Sequence, residues 1–216
     1  MAQNGRWYRF AGWFCRTFFF RPLGRLEVRG LENVPAEGPL LVAPIHTSHI
    51  DPPLVGSVCP RILRFMAKKE LFFFPLGPLI RSLGAFPVGR GEGDSAAIRL
   101  TLAELEHGAA ILIFPEGTRG DGRRLGDIQI GTAMIAKKSG AKILPVGIAG
   151  AAAMLPKGKL FPRRTKLVVC FGPAFTYQDT ATGSSERENR TLFVKALTGR
   201  LHQACTQAGL ELDPLD

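Results

Sequence analysis

The chain has 216 residues, 45% of them hydrophobic and 21% charged, a balance that suits one folded domain, with or without a short appendage, and excludes a disordered chain. Its formal charge of +10 points to an anionic partner: nucleic acid, a phosphate-bearing substrate or an anionic lipid surface. Four cysteines, Cys15, Cys59, Cys170 and Cys205, stand far apart without a CxxC pair, so neither a zinc cage nor a disulfide framework is expected.

The first twenty residues hold both tryptophans, Trp7 and Trp13, with Tyr8, Phe10, Phe14, Phe18, Phe19 and Phe20. Arg6, Arg9, Arg16, Arg21 and Arg25 precede the first acid, Glu27. Rings that enter a lipid interface beside guanidinium groups that meet anionic headgroups, at about 1 kcal/mol each, fit a helix lying on a membrane. The alternatives are a helix that packs its aromatics on the domain core, or base stacking on nucleic acid. Arg9, Gly12 and Arg16 interrupt any signal-peptide core, so none is expected. The apolar run "LFFFPLGPLI" at 71–80 is far short of the roughly 20 residues of a spanning helix.

From residue 25 onward, short apolar runs alternate with amphipathic stretches, the pattern of an α/β fold with a mixed, largely parallel sheet flanked by helices. About seven strands are expected, at 25–30, 39–45, 63–67, 84–88, 109–114, 141–149 and 165–172. Helices are expected over 95–107, 128–139 and 185–208, closed by Gly108, Gly140 and Gly209.

Three stretches carry candidate chemistry. In "VAPIHTSHIDPP", at 42–53, His46, His49 and Asp51 follow an apolar strand and precede a Pro52-Pro53 helix start. A metal site, a base with its orienting carboxylate, and two structural histidines are all open at this point, although a strand-to-loop position argues against helical geometry for a metal. Thr47 and Ser48 suit N-caps of the following helix. In "IFPEGTRGDG", at 113–122, Glu116, Gly117, Thr118 and Arg119 sit in a turn at a strand end: glycine allows close approach of backbone amides, and arginine offers a fork that matches phosphate. The third stretch, 68–91, joins Lys68 and Lys69 to an apolar patch and to Arg90, a combination suited to an amphiphile with a phosphate head. There is no GxSxG elbow, so a covalent acyl-enzyme is not suggested.

Together these stretches resemble the glycerolipid acyltransferases, the 1-acylglycerol-3-phosphate acyltransferase family. "HTSHID", "KKELFFFPLGPLIRSLGAFPVGRG", "FPEGTRG" and "ILPVGIAG" match its four blocks in family order. The resemblance implies that His46, oriented by Asp51, removes the proton of a glycerol hydroxyl that attacks an acyl thioester. It also implies that Glu116, Gly117, Thr118 and Arg119, with Lys68 and Arg90, bind the glycerol phosphate. Pro145 marks a region associated with the acyl chain or acyl donor. Ile45 stands where the family often has Asn, and Gly120 where it often has Ser.

On this basis residues 1–24 are expected to be an amphipathic membrane-association segment and 25–216 the acyltransferase domain. The expected reaction moves an acyl group from acyl carrier protein or coenzyme A to the 2-hydroxyl of lysophosphatidic acid, giving phosphatidic acid; the alternative is remodelling of another lysophospholipid or a glycolipid. No tightly bound cofactor, no metal and no nucleic acid are expected. The implied location is peripheral, on the cytoplasmic face of a membrane.

Overall fold

A computed structural model describes residues 3–88 and 93–214. Seven strands form one sheet: β1 (Leu26–Arg29), β2 (Leu40–Pro44), β3 (Leu63–Lys68), β4 (Ala85–Val88), β5 (Ala110–Leu112), β6 (Lys142–Ala149) and β7 (Leu167–Phe171). Their order is β1-β7-β6-β2-β5-β3-β4. Among the strand pairs of the described residues only β6–β7 is antiparallel, so the sheet is mixed and largely parallel, as expected.

The helices are α1 (Gly5–Phe14), α2 (Arg21–Leu23), α3 (Asp51–Val58), α4 (Leu76–Ser82), α5 (Gly93–Glu106), α6 (Ile130–Ser139), α7 (Ala151–Met154) and α8 (Glu186–Ala208). Gly140 and Gly209 end α6 and α8 in the left-handed conformation that costs glycine nothing.

β2 is buried along its whole length because both faces are covered, which is why it reads as an unbroken apolar run. Its alternate side chains enter two cores. Leu40 and Val42 pack with Leu54, Val55, Leu144 and Met154. Leu41 and Ala43 pack with Leu105, Ile135, Phe193 and Leu201. Thus α3, α7 and the N-terminal helices cover one face, and α5, α6 and α8 the other. At Gly147 the backbone of β6 runs so close to α8 that any Cβ would collide with the Ala204 carbonyl.

The N-terminal segment is one helical rod. Asn4 caps α1 by accepting from the amides of Arg6 and Trp7, and a π-helical stretch, Cys15–Phe20, joins α1 to α2. Tyr8 and Phe20 are buried, and the Tyr8 hydroxyl donates to the Gly56 carbonyl of α3 at 3.1 Å. Trp7, Phe10, Trp13, Phe14, Phe18 and Phe19 remain 38–59% exposed. The rod therefore docks through a narrow inner stripe and leaves a row of contacting rings outside. Among the described residues, no helix is long and apolar enough to cross a membrane.

Candidate active site

The C-terminal ends of the five parallel strands β2 to β6 lie along one edge of the sheet, where α/β folds open a crevice. The loop after β2 carries His46 there, and the loop after β5 carries Glu116 to Arg119. Lys68 ends β3, and α7 follows β6.

His46 Nδ1 lies 3.0 Å from Asp51 Oδ2. The same oxygen accepts from the backbone amides of Thr47 and Ser48, each at 2.7 Å, so a fully buried carboxylate is held by its own loop. Asp51 thereby caps the loop from inside α3, and the expected N-cap roles pass to other uses: Ser48 Oγ donates to the Leu155 carbonyl at 2.8 Å. The imidazole stacks on Phe114 with ring centroids 3.7 Å apart. With Nδ1 tied and the ring face covered, Nε2 is the nitrogen available to a substrate, and among the described residues it has no partner.

Glu116 has a different place from the phosphate contact expected of it. It is 4% exposed, with Oε1 accepting from the His46 amide and Oε2 from the Gly126 amide, both at 2.9 Å. Burial pushes its pKa up, and the two amide hydrogen bonds pull it back. Its carboxylate positions the His46 loop. Gly117, at φ +68°, spends its N–H on the Phe114 carbonyl, closing the turn, so that amide is not offered to a ligand. Gly120 N donates to the His46 carbonyl at 2.8 Å, a second tie between the two loops.

Thr118 is exposed and Arg119 half-buried. Arg119 lines a cleft of about 310 Å³ with Thr47, Gly120 and Asp121 on one side and Ala152, Pro156 and Lys157 on the other. His49, exposed at the helix entry, has its pKa lowered by desolvation first and then by its charged surroundings, the Arg119 guanidinium foremost and the Lys68 ammonium also. Arg119 and Lys68 thus both act on this imidazole. Among the described residues no group of three or more His, Cys, Asp or Glu is placed to hold a metal.

Arg90 lies outside the described residues. Pro145 is buried within β6 beside Ala43 of β2. There the antiparallel ladder to β7 breaks between the Ile143–Phe175 bridge and the Val146–Phe171 pair, a position where a missing N–H is tolerated.

The Acyltransferase family model matches residues 25–149, more than half of the chain. The chain belongs to the acyltransferase family. It is 28% identical over 196 residues to the 1-acyl-sn-glycerol-3-phosphate acyltransferase of Bacillus subtilis, covering 89% of this chain and 92% of that one. It is 38% identical over 138 residues to the lyso-ornithine lipid O-acyltransferase of Pseudomonas aeruginosa, covering 63% of this chain and 51% of the other. The crystal structure of the 1-acyl-sn-glycerophosphate acyltransferase of Thermotoga maritima superposes with a TM-score of 0.77 at 26% identity, over 96% of this chain and 81% of that one. The chain spans 39% and 41% of the length of the chloroplast relatives it matches. Acyltransferase membership and fold thus agree with the four ordered blocks.

Proposed function

We propose that the protein transfers a fatty acyl group from the thioester of acyl carrier protein or coenzyme A to the 2-hydroxyl of 1-acylglycerol 3-phosphate, giving phosphatidic acid for phospholipid synthesis. The observation that carries this reading is the His46–Asp51 pair next to the cleft that Arg119 lines with Thr47. His46 Nε2 takes the hydroxyl proton as that oxygen attacks the thioester carbonyl, and Asp51 stabilises the imidazolium. The departing thiolate takes the proton back. Arg119 and Lys68, with the Thr118 hydroxyl, suit the phosphate, and Arg90 is kept as a further phosphate contact.

Direct transfer is supported by the lack of an activated nucleophile among the described residues. Burial pushes the Cys59 thiol up to about 11 and Cys205 up to about 12, and the Ser48 hydroxyl is engaged with Leu155. The names of the Bacillus and Thermotoga relatives support a 1-acylglycerol phosphate as the acceptor. The exposed aromatic row of the N-terminal rod, with Arg6, Arg9, Arg21 and Arg25 exposed around it, supports peripheral attachment on the cytoplasmic face, with residues 1–24 as the attaching segment.

A second reading, an acceptor without a glycerol phosphate, is favoured by the Pseudomonas relative, whose name specifies a lyso-ornithine lipid. Thioester release by the purified protein, measured over a panel of lysolipids with both donor types, separates the two. Lysophosphatidate should give the highest kcat/KM, and Arg119→Ala should raise its KM with little change in kcat. A preference for a phosphate-free acceptor, insensitive to Arg119, would replace the first reading with the second.

A further inference from the structure

The loop between α7 and β7, "LPKGKLFPRRTK" at 155–166, lines the cleft beside Arg119 through Pro156 and Lys157, but its tip has no part in the chemistry above. It contains five cations and no acid. At its tip Leu160 is 87% exposed and Phe161 82%, two adjacent large apolar side chains standing almost fully in water. Lys157, Lys159, Arg163 and Arg164 flank them, all exposed, and among the described residues none is paired with a carboxylate.

The loop is nevertheless held firmly at its base. The Arg163 amide donates to the Met154 carbonyl at 2.8 Å, closing a compact surface loop, and Lys159 N donates to Pro156 O at 3.0 Å inside it. Ser48 Oγ ties Leu155 to the catalytic loop. Thr165 N donates to Leu23 O at 2.9 Å, which fastens the other end to the N-terminal rod. Pro156 and Lys157 form one wall of the cleft whose other wall is Arg119 and Thr47.

We infer that this loop is a second membrane-contact element. Leu160 and Phe161 enter the interface of an anionic bilayer, the flanking cations meet its headgroups, and the cleft beside His46 is thereby seated at the lipid surface. The charge complementarity and the continuity with the aromatic rod favour a lipid surface over an acidic protein. The inference rests on the peripheral-membrane reading of the rod, and the test separates the two.

The experiment is co-sedimentation of the full chain with vesicles of phosphatidylcholine and phosphatidylglycerol in equal parts, and of phosphatidylcholine alone. Leu160→Ser/Phe161→Ser should weaken partitioning roughly tenfold or more, with an unchanged Tm and unchanged turnover of a water-soluble short-chain acceptor. Lys159→Glu/Arg164→Glu should erase the preference for the anionic vesicles. In a Trp7→Phe/Trp13→Phe background, Phe161→Trp should shift its emission to the blue and be quenched by acyl-brominated lipid. If the wild type ignores vesicles, both the rod reading and the loop inference fall. If it binds but the loop variants bind equally and Phe161→Trp is not quenched, the loop inference alone is overturned. A rise confined to the KM for acyl carrier protein thioester would overturn it in favour of carrier docking. Quenching in a protein that acylates no lysolipid would keep the loop inference and remove the proposed reaction.

Discussion

The Glu116 carboxylate accepts the backbone N–H of His46 at 2.9 Å, although seventy residues separate the two in the chain. Its other oxygen holds Gly126, so one buried carboxyl group clamps the loops after β2 and β5 together. The same geometry accounts for Ile45 in place of Asn. Ile45 is buried in the core and its amide donates to the Val146 carbonyl at 3.2 Å, so the loop is braced by backbone bonds and by Glu116. Glu116→Ala leaves two buried amides without acceptors and should cost about 2–4 kcal/mol of stability along with kcat. Glu116→Gln keeps one acceptor and should fall between. Thermal unfolding and turnover on the same preparations check both; loss of phosphate affinity alone would mean the carboxylate touches substrate.

A pH signature follows from the burial of Glu116. Its pKa in the fold is raised above its value in the unfolded chain. Its favourable contribution is therefore complete below the unfolded value, about 4.3, and is lost as pH rises through the folded value. Glu116→Gln lacks this titration, so the stability gap between wild type and variant should narrow as pH rises from the acid range toward neutrality. Denaturant unfolding at a series of pH values measures it.

His49 reports on the anion site without joining the chemistry. Its pKa lies below the ordinary 6.5, with desolvation the largest cause and Arg119, His46 and Lys68 adding to it. A phosphorylated acceptor analogue seated by Arg119 and Lys68 should offset their charge and raise the pKa of His49. An uncharged analogue of the same chain length should not. Titration of the imidazole by NMR distinguishes them, and equal shifts with both analogues would remove the phosphate from this site.

Much of the scaffold was legible because it rests on patterns that sequence displays. β2, β5 and β6 are apolar runs since both sheet faces are covered, and Gly108, Gly140 and Gly209 mark where helices or turns end. The spacing of His46 and Asp51 left a metal site, a base pair and structural histidines open, and only the resemblance to the four ordered blocks singled out the pair. The work of Glu116 was not legible, since its partners are backbone amides, which leave no residue signature. Nor was the burial pattern of the N-terminal rod. The π-helical stretch around Cys15–Phe20 departs from α-helical spacing, and Phe20 is buried while Phe18 and Phe19 stay outside. Phe114, the face on which His46 stacks, reads in the sequence as one more residue of a buried strand.

Base catalysis by His46 is the centre of the account, and turnover of thioester with lysophosphatidate by His46→Ala tests it most directly. The account predicts a fall in kcat of about 10²–10⁴-fold, with Asp51→Asn also impaired, at unchanged fold and vesicle binding, and no acyl-protein adduct in either enzyme. Turnover by His46→Ala at the wild-type rate, or an acyl group found covalently on the protein, would contradict it.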